Sequence, residues 1–213
     1  MIMRYFFVLI SILGFFITNS ICDYRIPPGT ILLDRKTYTY IDASEITVSG
    51  WAEYLYWLKK EKGELSEAYL SAIPDSATCE KLYGAFRYFL HPRFRNYPIV
   101  GINYSQAIAY CQWRSDRVNE IAKKGKILYV LPDIQDYQLA FDKQKKIKQI
   151  NFGIEAVNPK KRKLTGIGFN VQELTADSNV IVAGIEEGHL IFDDYRGISY
   201  TLGFRCKAII VKE

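Results

Sequence analysis

The stretch YPIVGINYSQAIAYCQWRSDRVNE, residues 97–120, constrains its own structure more tightly than any other part of the chain. A short apolar strand runs up to Asn103, whose side chain can accept a hydrogen bond from a backbone N–H of the next turn. Gln106, three residues on, can reach back to the N–H of Asn103, and this reciprocal pattern marks the start of a helix. Beyond it Ala107, Cys111, Val118 and Ile121 or Ala122 recur at helical spacing. The spacing predicts a helix with that face inward and with the Cys111 thiol buried on it.

The remaining elements are read from shorter signals. GTILLD and TYTYIDASEITV, after the Pro27-Pro28-Gly29 turn, predict two paired strands. Trp51, Tyr54, Leu55 and Leu58 predict a helix over 50–62 that Gly63 stops. A looser segment, 71–79, leads to a further helical stretch, CEKLYGAFRYFL, ending at His91-Pro92. In LPDIQDYQLAF, Asp133 is the expected cap, with Ile134, Tyr137 and Phe141 on the buried side. The last third is Gly-rich and β-prone and closes with GFRCKAIIVKE. Strands and isolated helices without a βαβ rhythm predict a mixed α+β fold.

Residues 1–20 have the form of a secretory leader: Arg4, then an apolar run of 13 residues, then Thr18, Asn19 and Ser20 at a cleavage point. The run falls short of the roughly 20 apolar residues of a comfortable membrane span. A retained anchor and lipidation at Cys22 are alternative routes to membrane association, although Ile21 stands where lipoprotein cleavage wants a small residue. Residues 21–213 have the length of one domain with one sizeable core. Aromatic residues make up 15% of the chain, which excludes a disordered protein. The net charge of +5 is concentrated in DKQKKIKQ (142–149) and PKKRK (159–163). These runs read either as a patch for anions or membrane surfaces, or as a solvated helix end and a surface loop. Nothing else points to nucleic acid.

Taken in order, YPIVGINYSQAIAYCQWRS, YVLPDIQDYQLAF, GFNVQELTAD and GFRC resemble the signature segments of the formylglycine-generating enzyme (sulfatase-modifying factor) family. The upstream YIDASEITVSGWAEYLYWL is similar to that family's strand-then-helix opening. The resemblance covers nearly all of residues 21–213 and implies a loop-rich, single-domain α+β fold related to C-type lectins. It also implies a disulfide between Cys111 and Cys206. Closing a loop of about 95 residues would remove on the order of 4 to 5 kcal/mol of unfolded-state freedom in the chain-entropy model. Two buried free thiols are the alternative, and Cys22 with Cys79 is the remaining pairing.

The same resemblance says where catalytic chemistry would sit. Family oxidases hold copper(I) with two cysteines shortly before GFRC, and the corresponding window here, 175–187, contains none. Another branch uses iron held by histidines; His91 and His189 lack the spacing and are expected at a turn and a surface loop. No catalytic residue and no cofactor other than calcium is expected. The family's calcium motif, similar to Gly-Asn-Val-x-Glu-Trp, would place Glu173 and the backbone near Val171 as ligands. Here Phe169 and Leu174 replace the Gly and the Trp, and Gly166 stands in place of an Asn ligand. GIGFNV is read as a turn, and the sequon Asn103-Tyr104-Ser105 as part of the helix cap.

The expected function is that of an exported binding or scaffold module for an envelope or secreted protein, in the periplasm, at the outer membrane or outside the cell. Relatives implied by the resemblance include lipid-anchored proteins of gliding motility and secretion. The alternative is a formylglycine-generating-type oxidase or another side-chain-modifying enzyme of the same family. A small-ligand receptor built on the 16 tyrosines is a third reading.

Overall fold

The computed structural model describes residues 26–80, 88–121, 125–144, 154–158 and 162–211. The leader, Cys22 and its pairing with Cys79, most of the helical stretch 79–90 and the greater part of both lysine-rich runs lie outside the described residues.

Strands β1 (Thr30–Asp34) and β2 (Thr39–Asp42) form the expected hairpin, and β2 pairs antiparallel with the last strand, β8 (Lys207–Val211). On its other side β8 pairs antiparallel with β3 (Lys126–Val130), so the first sheet has the order β1-β2-β8-β3. A second sheet has the order β6-β5-β4-β7, from β4 (Gln172–Leu174), β5 (Val180–Glu186), β6 (His189–Asp194) and β7 (Leu202–Gly203), with β4 and β7 parallel. The fold is thus a mixed α+β domain with two sheets. Phe204, Arg205 and Cys206, all fully buried, carry the chain from β7 of one sheet directly into β8 of the other.

The second strand is shorter than its sequence suggests. It ends at Asp42, and 43–47 is shared among three neighbours: Ala43 N–H donates to Gly29 O, Ile46 N–H to Phe204 O, and Ile46 O accepts from Ile99 N–H. This buried stretch satisfies its backbone piecemeal instead of in a ladder.

Thr47 then caps α1 (Val48–Lys62) by accepting from Gly50 N–H, and Gly63 N–H closes it on Lys59 O at the expected stop. α1 buries Trp51 and Tyr54 and half-buries Leu55 and Leu58, as its spacing requires. Trp51 stacks on Tyr110, ring centroids 5.4 Å apart, and meets Tyr54 and Phe204 edge-on, while its Nε1 donates to Ala72 O at 3.1 Å. Short helices α2 (Glu67–Ser71) and α3 (Ser76–Glu80) follow, and His91 Nδ1 accepts from Arg93 N–H at the start of a 3₁₀ turn, Pro92–Phe94. Among the described residues no helix is long and apolar enough to cross a membrane.

Helix α4 (Tyr104–Asn119) begins with the reciprocal Asn103–Gln106 cap read from sequence, and α5 (Ile134–Lys143) with an equivalent Asp133–Asp136 pair. Ala107, Cys111 and Tyr137 lie inward as expected and Phe141 is partly buried, but both inner faces also take in residues that the spacing does not mark. In α4 the buried residues are Ala107, Tyr110, Cys111 and Ser115, with Val118 half-buried and Ile121 71% exposed. In α5 they are Asp136, Tyr137 and Ala140, while Ile134 is exposed. Polar Ser115 and Asp136 are buried because each has a partner on the adjoining strand: Ser115 accepts from Tyr129 N–H of β3, and Asp136 pairs with Lys207 of β8.

Candidate functional site

The residues singled out by sequence, Cys111, Cys206, Val171 and Glu173, all lie in the interior around the connector between the sheets. Cys111 comes from α4 and Cys206 from the connector, and their sulfurs stand 3.4 Å apart as buried thiols. Burial, and then the contact with Cys111, push the Cys206 thiol well above its ordinary pKa, so it is a poor nucleophile.

Directly beside the thiols is an ion pair that sequence reading did not foresee. Arg114 of α4 grips Asp42 bidentately at 2.7 and 2.9 Å, donates to Pro28 O at 2.8 Å, and lies over the Tyr129 ring at 4.1 Å. Asp42 Oδ2 also accepts from Cys206 N–H at 2.8 Å, so the carboxylate ties α4, β2 and the connector together. Burial works against the Arg114 charge, but the adjacent Asp42 more than offsets it and the net shift is upward.

One residue earlier in the connector, Arg205 points to the other side. Its Nε donates to Glu173 Oε2 at 2.6 Å and its Nη2 to Glu173 Oε1 at 2.8 Å; Nη1 reaches Asp42 O and Nη2 also reaches Thr165 O. Both members of the pair are wholly buried. The Tyr137 hydroxyl sits 3.2 Å from Glu173 Oε2 and 3.0 Å from Leu174 O. Glu173, expected as a calcium ligand, is therefore the counter-ion of a guanidinium. These residues do not fit a calcium ion: both carboxylate oxygens are engaged, and the nearest cation is Arg205. Val171 is a core side chain. Among the described residues no group of three or more His, Cys, Asp or Glu is gathered for a metal.

Phe169, which stands where the family motif has Gly, does not occupy a left-handed position. Gly166 and Gly168, both before it, take the positive φ angles, +88° and +75°, and the turn closes through Phe169 N–H to Gly166 O. Gly166 has a second reason to lack a side chain: a Cβ there would lie 2.3 Å from Glu45 Oε1.

Glu45 completes the centre. It is wholly buried, its Oε2 is 3.8 Å from Arg205 Nη2, and among the described residues neither oxygen has a hydrogen-bond partner. Burial pushes its carboxyl up to about 7; Arg205 opposes the shift and Glu173 adds to it. One guanidinium thus faces two carboxylates and hydrogen-bonds only Glu173.

The histidines do not join the centre. His91 is the turn cap already described, and His189 is exposed at the start of β6, a strand where a loop was expected. Six described tyrosines are core, Tyr40, Tyr54, Tyr88, Tyr110, Tyr129 and Tyr137, and Tyr38, Tyr97, Tyr104 and Tyr195 pack partly buried against it. The signal that could have revealed Asp42, Glu45 and Arg205 is a charge inside an otherwise apolar, strand-like stretch, YIDASEITV and LGFRCKAII, where burial demands a partner. The chain matches no protein-family model, and no curated protein matches it at a significant level.

Proposed function

We propose that the chain is an exported, non-catalytic binding or scaffold module with the formylglycine-generating-enzyme-like fold that its segments resemble, and that its partner is an envelope or secreted protein. The observation that carries this reading is the state of the family-signature side chains. Glu173 is consumed by Arg205, and Cys111 and Cys206 are buried against each other with a raised thiol pKa at Cys206, so these groups brace the interior. The window before GFRC, 175–187, is occupied largely by β5 and carries no thiol. In an oxidising compartment, which the leader implies, Cys111 and Cys206 close into a disulfide joining α4 to the connector. Membrane association, where it occurs, runs through the leader or a lipid on Cys22.

The test is to incubate the purified mature protein with copper(I) and a cysteine-containing sulfatase peptide and to weigh the peptide. An unchanged mass is expected, and conversion of the cysteine to an aldehyde overturns the reading in favour of the oxidase. Affinity capture from the native envelope, with chemical cross-linking to the mature chain, then identifies the partner.

A further inference from the structure

Three of the four edge strands in this fold are closed. On β3, Asn119 of α4 pairs with both the N–H and the C=O of Ile127 at 2.9 Å, and Ser115 Oγ accepts from Tyr129 N–H at 2.8 Å. On β1, Lys143 of α5 reaches the Leu33 carbonyl, and the pairing is bulged between Leu32 and Asp34. On β7, only two residues long, Gly203 packs so closely on Ile99 that an added Cβ would meet its carbonyl oxygen at 2.7 Å.

Among the described residues, the fourth edge, β6, is open. It follows β5 through the two-residue turn Glu187-Gly188, both with positive φ. The flanking pair Glu186↔His189 belongs to the ladder, so by antiparallel alternation Leu190, Phe192 and Asp194 turn their backbone groups away from β5. Asp194 N–H is satisfied by the Asp193 carboxylate, whereas among the described residues nothing is bonded to the outward groups of Leu190 and Phe192. The strand is firmly seated, because the Leu190 and Phe192 side chains pack into the second apolar cluster with Val182 and Ile185.

The charge around this edge is inverted relative to the rest of the protein. Residues 177–196 carry Asp177, Glu186, Glu187, Asp193 and Asp194 against a single arginine, in a chain whose net charge is +5. Pairing β6 with β6 of a second copy brings together two edges of the same negative sign, and in a parallel register it sets the Asp193 and Asp194 of both against one another, which is destabilising. An incoming strand with lysine or arginine at alternate positions gains the open backbone groups and, on the face its basic side chains share, the carboxylate of Asp193 or Asp194.

We propose that β6 is a docking edge for an extended, basic peptide segment of a protein partner, which adds as a fifth strand to the β6-β5-β4-β7 sheet. The inference deepens the binding-module reading and rests on it.

The probe is a fluorescein-labelled decapeptide alternating valine and lysine, titrated against the mature chain. Two controls accompany it: the same peptide with glutamate for lysine, and the lysine peptide with N-methyl groups on alternate backbone nitrogens. The lysine peptide is expected to bind, to slow hydrogen exchange at the Leu190 and Phe192 amides, and to lose affinity severalfold with D193N/D194N. Both positions are exposed, so the variant's unchanged melting temperature verifies its fold. Both control peptides are expected to bind at least severalfold more weakly. No binding of the lysine peptide, equal binding of the N-methylated one, protection at another edge, or a dimer of the unliganded chain that protects the same Leu190 and Phe192 amides would each overturn the proposal. If a captured envelope partner cross-links elsewhere while the lysine peptide fails, the edge assignment falls and the module reading stands.

Discussion

Burying the Glu45 carboxyl without a hydrogen-bond donor raises its proton affinity, and this has a consequence for stability with a defined sign. In the unfolded chain the group titrates near its ordinary 4.5, and in the fold near 7. The folded state therefore holds a proton that the unfolded state has released between these values. The contribution is fully present below about pH 4.5 and is lost as pH rises through about 7, an effect on the order of 3 kcal/mol. Glu45→Gln keeps the shape and removes the titration. The variant is expected to match the wild type near pH 5, to exceed its melting temperature at pH 8, and to show a flatter profile in thermal melts from pH 5 to 8. Arg205 presents the opposite case. Arg205→Met strands two buried carboxylates, and cutting one partner from a buried pair costs about 3–5 kcal/mol. Urea unfolding should show a large fall in midpoint at pH 8, smaller at pH 5, where protonated Glu45 no longer needs the guanidinium.

Helix α4 is also the seal on a sheet edge. Ser115 and Asn119, one helical turn apart, meet the outward N–H groups of Tyr129 and Ile127 two residues apart on β3, so the helix stands in for a missing strand. Ser115→Ala and Asn119→Ala are each expected to cost about 1–3 kcal/mol in urea unfolding by leaving strand groups unpaired. The double variant is expected to self-associate in sedimentation as its edge opens. How much of this was legible in the sequence follows from the range of each interaction. The caps at Asn103 and Asp133 and the stop at Gly63 are local, made within one turn of helix, and were readable. The inner faces were incompletely read because Ser115 and Asp136 are polar, and their burial depends on strand partners, Tyr129 and Lys207, that are 14 and 71 positions away. β2 was overextended for the same reason: the alternation of 43–47 satisfies three separate neighbours. Among site residues, Cys111 and Cys206 could be paired only through the family resemblance, while the Arg205 ion pair joins positions 32 apart with no periodic signal.

For the molecule as a whole, the thiol pair links residues 95 positions apart and so encloses all of the second sheet in one loop. Its oxidation should follow the compartment. The mature chain folded under oxidising conditions is expected to carry the Cys111–Cys206 bond and to weigh two hydrogens less than the same chain kept reduced, and reduction is expected to lower stability by about 4 kcal/mol in the chain-entropy limit. Intact mass and parallel urea curves check both statements. Added calcium or a chelator is expected to leave the melting temperature unchanged, because Glu173 already has its cation in Arg205.

The passage of the chain from one sheet to the other through only Phe204, Arg205 and Cys206 bears on motion. A tether of three buried residues leaves this crossing no slack, so the two sheets are expected to open together. Slowly exchanging amides of β4 and β8 should thus share a single opening free energy and respond in parallel to every perturbation, with no half-open species along the way.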